Sequence, residues 1–323
     1  MRYVIIGGSA AAIGCIEGVR SVDKTGEIIL ITGETEWNYS RPLISYLLEG
    51  KTTRDKMWCR PDSFFTRNGV TVKAGVLATA LDAGDRTVRL STGERLAYDR
   101  LLAATGSRPF VPPIPGLETV ERTFCFQTLS DASALAEALR PESRVLILGA
   151  GLTGVKCAEG IRGLCAQIAI ADLAPRVLPA VLDDTAAAMV QARMEEKGVR
   201  FYLNDSAAAF RGNTARLQSG TELEFDVLVT AVGVRPNTQL VADAGGAVDR
   251  GILVDGRCAT TLPDVYAAGD CAQGYDAVSG EKRMLPLWPN AMLQGETAGI
   301  NMAAAPITRR ALPSTLRACS ACT

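Results

Sequence analysis

The chain contains no histidine, so no imidazole base, proton shuttle or histidine metal ligand is available to any mechanism it runs. It has no charge excess either. The 34 Lys and Arg stand against 35 Asp and Glu, and a net charge of −1 gives no global field for nucleic acid or an anionic membrane. No apolar run approaches the length of a spanning helix, and the first strand-like stretch opens at Tyr3, which predicts no signal peptide. The 9 cysteines are odd in number and scattered, which fits reduced thiols better than a disulfide framework. These absences predict a cytoplasmic protein with no metal, no nucleic-acid partner and no membrane segment. The 323 residues leave room for two domains of ordinary size.

Within them, Tyr3-Val4-Ile5-Ile6 runs into Gly7-Gly8-Ser9-Ala10-Ala11-Ala12, and an apolar-spaced stretch follows to Arg20. That pattern predicts a buried parallel strand, a tight turn and a helix whose N-terminus favours a pyrophosphate. Against G-x-G-x-x-G, Gly7 matches, while Ser9 and Ala12 replace the second and third glycines. Arg144–Leu148 and Gly149-Ala150-Gly151-Leu152-Thr153-Gly154 repeat the unit with all three glycines. Either turn alone reads equally as part of an ordinary α/β core. Two of them, each between a strand and a helix, point to two nucleotides in two similar domains.

Glu34 follows the second apolar strand, Glu27–Ile31, and is either a ribose-binding carboxylate or a solvated loop residue. Asp172 ends the matching strand of the second unit, where a carboxylate accepts from a 2′-hydroxyl and repels a 2′-phosphate. This favours NADH over NADPH, against which Arg176 lies only four residues on. Asn38–Leu43 reads as a polar loop over a ligand. The basic residues Arg41, Lys51, Arg54, Lys56, Arg60 and Arg67 form either a docking patch or a solvated, mixed-charge surface. Short strands are predicted across Val70–Leu90 and Arg95–Leu102, and helices at Ala132–Leu139 and, amphipathic, at Asp183–Lys197. Val199–Leu203 and Asp226–Gly233 read as strands. Pro112, Pro113 and Pro115, then Arg235-Pro236-Asn237, mark rigid crossovers. Val265–Asp270 gives a strand ending in Gly269-Asp270, a polyol-binding or plain turn, and Pro289 starts a helix over Asn290–Ala304.

The ordered set of the two glycine-rich turns, Tyr39-Ser40-Arg41-Pro42-Leu43, Ala104-Thr105-Gly106-Ser107-Arg108-Pro109, Ala231-Val232-Gly233-Val234-Arg235-Pro236-Asn237 and Ala267-Ala268-Gly269-Asp270 resembles the FAD- and NAD(P)H-dependent pyridine nucleotide–disulfide oxidoreductase superfamily. The nearest branch in pattern is that of NADH:rubredoxin reductases, nitrite reductase flavin domains and NADH oxidases. The resemblance covers about residues 1 to 302. It implies an α/β fold of two Rossmann-like, three-layer ββα/βαβ domains, with the NAD domain inserted in the FAD domain. The implied boundaries are 1–112 and 241–304 for FAD, 113–240 for NAD(P)H, and 305–323 as a tail. It further implies that Gly7, Gly8, Ser9, Ala10, Ala11, Glu34, Arg41, Pro42, Val76, Ala104, Thr105, Gly106, Gly269, Asp270 and Trp288 border FAD. Gly149, Gly151, Leu152, Thr153, Gly154, Asp172 and Gly233 would border NADH.

Three departures stand out. Relatives with thiol chemistry carry cysteine on the helix after the first ribose site, whereas this chain has Arg41-Pro42-Leu43 there, with Cys59 the nearest downstream cysteine. Dithiol chemistry therefore lacks its nucleophile and its base. Where many relatives have glutamate after the third glycine, this chain has Lys156, predicted to face the active cleft as a catalytic group. The C-terminal interface domain that helps the family dimerise is missing from the sequence, which leaves a homodimer open. Cys319-Ser320-Ala321-Cys322 has thiol-redox spacing and reads more simply as incidental. The function so implied is an oxidoreductase (EC 1-type) passing a hydride from NADH to FAD and electrons to a rubredoxin or ferredoxin-type carrier. The alternatives are an NADH oxidase, or a redox sensor or assembly subunit that does not turn over.

Overall fold

The computed structural model describes residues 1–276 and 278–303; Cys319 and Cys322, and the tail 305–323, lie outside the described residues. The elements that carry the argument are, in chain order, β1 (Arg2–Ile6), α1 (Ala10–Val22), β2 (Glu27–Thr32), α2 (Ile44–Leu48), β3 (Val70–Ala74), β4 (Arg100–Ala103) and β5 (Thr123–Phe124). They continue with α3 (Leu129–Ala138), β6 (Arg144–Leu148), α4 (Leu152–Ile161), β7 (Gln167–Asp172), α5 (Asp184–Glu195), β8 (Val199–Leu203), β9 (Val227–Thr230), β10 (Val265–Ala267) and α6 (Trp288–Ala303).

The chain forms two compact units, one inserted in the other. Of the described residues, the first holds Met1–Ser40, Trp58–Ser107 and those from Pro236 to Ala303, and the second holds Arg41–Met57 and Arg108–Arg235. In the first unit a five-stranded sheet has the order β10-β4-β1-β2-β3, with every pair parallel. Strand alternation sends Tyr3, Ile5, Ile28 and Leu30 to one core, shared with α1 and α6. Val4, Ile6, Ile29 and Ile31 go to another, shared with Leu81, Val88 and Leu90 of the antiparallel strands Ala78–Asp82 and Thr87–Leu90. Both faces are covered, so these strands read as unbroken apolar runs.

α1 and α6 approach until glycine is obligatory. A Cβ on Gly14 would lie 2.2 Å from the Met292 carbonyl oxygen, and one on Gly295 would lie 2.0 Å from that of Ala11. This contact ties the last described helix back onto the first.

The second unit repeats the plan with the order β8-β7-β6-β9-β5. Leu146, Leu148 and Leu228 meet Phe210, Ala215, Leu217 and Phe225 of an antiparallel layer on one face, and Val145, Ile147, Val227 and Val229 are buried on the other. Two sequence expectations change here. Arg41–Met57, assigned from sequence to the first domain, groups with the second unit, because α2 buries Ile44 and Ser45 beside the close approach at Gly160. The helix expected to be amphipathic at Asp183–Lys197 forms as α5 but buries only Ala187 among its residues. It is held instead at its start, where the Asp183 carboxylate accepts from the Ala186 N–H at 2.8 Å.

Candidate functional site

Each unit builds a cradle at the C-terminal edge of its parallel sheet. In the first, the Gly7 N–H donates to the Ile31 carbonyl at 2.7 Å and the Ala104 N–H to that of Ile6 at 2.8 Å, which extends the ladder one residue past β1. Gly7 takes φ +120°, and a Cβ there would sit 2.0 Å from the Ala104 carbonyl oxygen. Ser9 is the N-cap residue of α1 with extended backbone and no side-chain capping bond, at the helix end that favours a phosphate. Ala10 and Ala11 form the first helical turn and are buried.

Around this turn the structure gathers most of the residues assigned from sequence to FAD. Glu34 lies two residues beyond β2, and its Oε2 accepts from the Tyr39 phenol at 2.7 Å. The Val76 N–H donates to the Thr32 carbonyl at 3.0 Å, beside the same strand end. Ala104-Thr105-Gly106 follows β4. There the Thr105 hydroxyl donates to the Asn237 carbonyl at 2.6 Å, and Asn237 Nδ2 returns a bond to the Thr105 carbonyl at 2.9 Å. Gly269, at φ +80°, follows β10 and donates its N–H to Gln294 Oε1 at 2.8 Å. Asp270 accepts from the Ser107 hydroxyl at 3.2 Å. Trp288 opens α6 and is 38% exposed, enough to offer a ring to a ligand. Arg41 and Pro42 are grouped with the second unit, where Arg41 Nη1 donates to the Gln127 carbonyl at 3.0 Å. Asn38 and Tyr39, read as loop residues too polar for a core, are buried.

The second cradle follows the same rule. The Gly149 N–H donates to the Ala171 carbonyl at 2.8 Å, Gly149 takes φ +109°, and a Cβ there would meet the Ala231 carbonyl oxygen at 2.4 Å. A Cβ on Gly154 would lie 1.9 Å from the Gly149 carbonyl oxygen, whereas one on Gly151 meets nothing within 4 Å. Leu152 and Thr153 begin α4, and Leu152 is exposed. Asp172, at the end of β7, accepts from the Ala150 N–H at 2.5 Å and the Ala174 N–H at 2.8 Å, which fixes its carboxylate over the turn. Arg176 is committed elsewhere, to Asp184 at 3.0 Å and the Leu182 carbonyl at 3.2 Å. Gly233, at φ +117°, follows β9 and accepts from the Phe110 N–H at 2.9 Å. The Lys156 ammonium pairs with Glu159 and stands 4.2 Å from the centre of the Tyr46 ring. That pair draws the Glu159 carboxyl below its usual range.

Both cradles fit a dinucleotide, with a helix N-terminus over a tight turn and a carboxylate at or just past the next strand end, and the second adds open space at Gly151. Six of the described thiols, by contrast, are held back from ionisation by burial. Cys15, Cys59, Cys125, Cys157, Cys165, Cys258 and Cys271 are all free, and burial raises the Cys165 thiol to about 11 and that of Cys258 to about 12. Cys15, Cys59, Cys157 and Cys271 are raised by the same cause. Among the described residues no group of His, Cys, Asp and Glu is placed to hold a metal ion, and no helix is long and apolar enough to cross a membrane. The basic residues from Arg41 to Arg67 are divided between the units, and Lys51 and Arg60 are paired with Glu49 and Glu17, both at 2.8 Å.

Sequence reasoning missed Tyr39, Asn237 and Gln294 as supports of the first cradle. Tyr39 and Asn237 lie inside motifs that had been read for other reasons, and nothing in the sequence marks Gln294.

Comparison with known proteins adds an independent line. The family model described as pyridine nucleotide-disulphide oxidoreductase matches residues 1–295. The epsilon subunit of an NADH-dependent phenylglyoxylate dehydrogenase from Aromatoleum evansii is 33% identical over 94% of this chain and 73% of its own length. An NADH oxidase from Methanocaldococcus jannaschii is 30% identical over 94% of this chain and 70% of its own. The structure of a covalent putidaredoxin reductase–putidaredoxin complex superposes with a TM-score of 0.88 at 26% identity, covering 95% of this chain and 76% of that one.

Proposed function

This chain belongs to the pyridine nucleotide-disulphide oxidoreductase family and is an FAD-dependent NAD(P)H oxidoreductase; from that premise we propose that it oxidises NADH and passes the electrons to a small carrier protein of the rubredoxin or ferredoxin type. The first cradle is assigned to FAD and the second to NADH. When bound, the two cofactors supply the redox chemistry, a hydride moving from nicotinamide to flavin. The protein's residues bind and orient them. Ser9 and the α1 N-terminus receive the FAD pyrophosphate, Glu34 its ribose and Asp270 its polyol chain. Gly151 admits the NADH pyrophosphate, and Asp172 accepts from the 2′-hydroxyl of NADH while repelling the 2′-phosphate of NADPH. Lys156, steadied by Glu159 and Tyr46, is assigned to the nicotinamide end. NADH-driven flavin bleaching that is unchanged in Lys156→Ala removes that role.

The observation that carries this reading is the pair of cradles, together with cysteines that are buried and raised in pKa. Burial raises six of the described thiols, which supports a reading in which electrons leave from the flavin itself. The reductase solved in complex with its putidaredoxin supports a carrier as acceptor. Two other readings have a specific observation behind them. The Methanocaldococcus relative is an oxidase, and the Aromatoleum relative is one subunit of a larger dehydrogenase.

Steady-state NADH oxidation against oxygen, rubredoxin, ferredoxin and quinone, with NADPH as competitor, separates the three. Carrier reduction that outpaces oxygen, weakens with added salt and drops when Arg54, Lys56 and Arg60 are neutralised is the expected result. Full turnover on oxygen alone favours the oxidase. Flavin that bleaches with NADH but yields no turnover on any acceptor favours the subunit.

A further inference from the structure

We propose that Tyr39 is a positioning residue for the adenosine ribose of the flavin cofactor: its buried phenol aims the Glu34 carboxylate that receives the ribose hydroxyls. The inference rests on the assignment of FAD to the first unit and adds to it a residue that no cofactor atom need touch.

The geometry is local and continuous. Glu34 stands half-buried on a short turn after β2, and its side chain has three rotatable bonds. A carboxylate that is to accept from two neighbouring hydroxyls must present one plane, and a freely turning glutamate loses that alignment. The Tyr39 hydroxyl donates to Glu34 Oε2 at 2.7 Å. A carboxylate has about four acceptor positions, of which the phenol takes one, and charge assistance makes the bond a strong restraint.

Tyr39 is itself held rigidly. It is 3% exposed and bridges antiparallel to Trp58. The neighbouring Asn38, in left-handed backbone at φ 65°, donates its N–H to the Gly8 carbonyl at 3.2 Å. Asn38 also accepts from the Cys59 N–H at 2.8 Å and donates through Nδ2 to the Arg60 carbonyl at 2.6 Å. The phosphate turn and the ribose carboxylate are thereby joined through Asn38 and Tyr39 into one frame. The second unit reaches the same end by another route, with two backbone N–H groups on Asp172.

The test uses the full-length holoprotein and its Tyr39→Phe variant, which keeps the buried ring and deletes only the donor. FAD and FMN binding are measured by flavin fluorescence, alongside a thermal melt and the variant pair Glu34→Gln and Tyr39→Phe/Glu34→Gln. FMN lacks the adenosine ribose, so it reports any general damage to the unit. The expected result is an FAD dissociation constant raised about five- to tenfold in Tyr39→Phe. FMN affinity should be unchanged, and the added effect should fall below about twofold once Glu34 is already Gln. An FAD constant within twofold of wild type, or equal losses for FAD and FMN, overturns the inference while leaving the FAD assignment standing. A wild-type chain that binds no FAD overturns both.

Discussion

At Gly7 and Gly149 a Cβ would overlap a carbonyl oxygen, that of Ala104 at 2.0 Å in one unit and that of Ala231 at 2.4 Å in the other. Both first glycines are therefore demanded by the fold, whatever binds there. At the second position the units part. Gly151 has empty space where a Cβ would go, so no described residue requires glycine there, and the proposed pyrophosphate would give it a reason. Ser9 stands at the equivalent place as an N-cap residue whose hydroxyl is not spent on its own helix. At the third, Gly154 would clash with the Gly149 carbonyl at 1.9 Å, while buried Ala12 carries its methyl without difficulty. One motif thus mixes positions read by sterics with positions read by ligand chemistry, and only the structure separates them.

The largest expected effect breaks the comparison at the shared position. Gly7→Val and Gly149→Val each force a clash with backbone and should cost on the order of 3 kcal/mol or more in stability. In absorbance and melting experiments Gly7→Val should lose flavin. Gly149→Val should keep its colour yet no longer bleach with NADH. Loss of flavin from both variants would show that the cradles do not act separately.

A smaller effect sharpens the difference at the second position. Gly151→Ser should raise the KM for NADH about tenfold, whereas Ser9→Gly should change FAD affinity by less than about threefold. Equal responses would mean that the open space at Gly151 is not the ligand's. Next in size, Asp172→Asn should lower the NADH-to-NADPH ratio of kcat/KM about tenfold by removing the repulsion of a 2′-phosphate. A ratio unmoved by that change would shift the specificity to Arg176 or elsewhere.

The smallest concerns acid. The Thr25 and Gly26 N–H groups and the Tyr3 phenol hold Asp23 of the first unit well below the usual carboxylate range, and Arg144 holds Asp226 of the second below it. A depressed carboxyl binds fewer protons folded than unfolded. Its contribution is therefore fully present above the ordinary value of about 3.9 and is lost progressively as pH falls from there through the lowered value of the folded state. Melting temperature should drop on acidification below about pH 4, with a shallower slope in Asp23→Asn. A pH-independent melt would contradict this.

Much of the fold was legible because the strands are buried on both faces, so β1, β2, β6 and β7 appear as apolar runs ending in small residues. Glu34, two residues past β2, and Asp172, the last residue of β7, were singled out from their spacing, with a solvated residue left as the other reading of Glu34. Segment 41–57 was not: its assignment depends on which helix the short α2 meets, a tertiary fact with no local mark. The α1–α6 contact had a signal that went unread, Gly14 and Gly18 facing Gly295 and Gly299 at four-residue spacing. The exposed α5 misled because alanine satisfies an amphipathic pattern and a solvated helix equally.

The central claim is that a flavin in the first cradle is reduced by NADH held in the second, with no thiol between them. Anaerobic titration of the purified holoprotein with NADH, before and after alkylation of its accessible cysteines, tests it most directly. The account predicts a yellow protein whose visible flavin absorption bleaches at one NADH per flavin, equally fast in both samples. A colourless protein, or bleaching that alkylation abolishes, would contradict it.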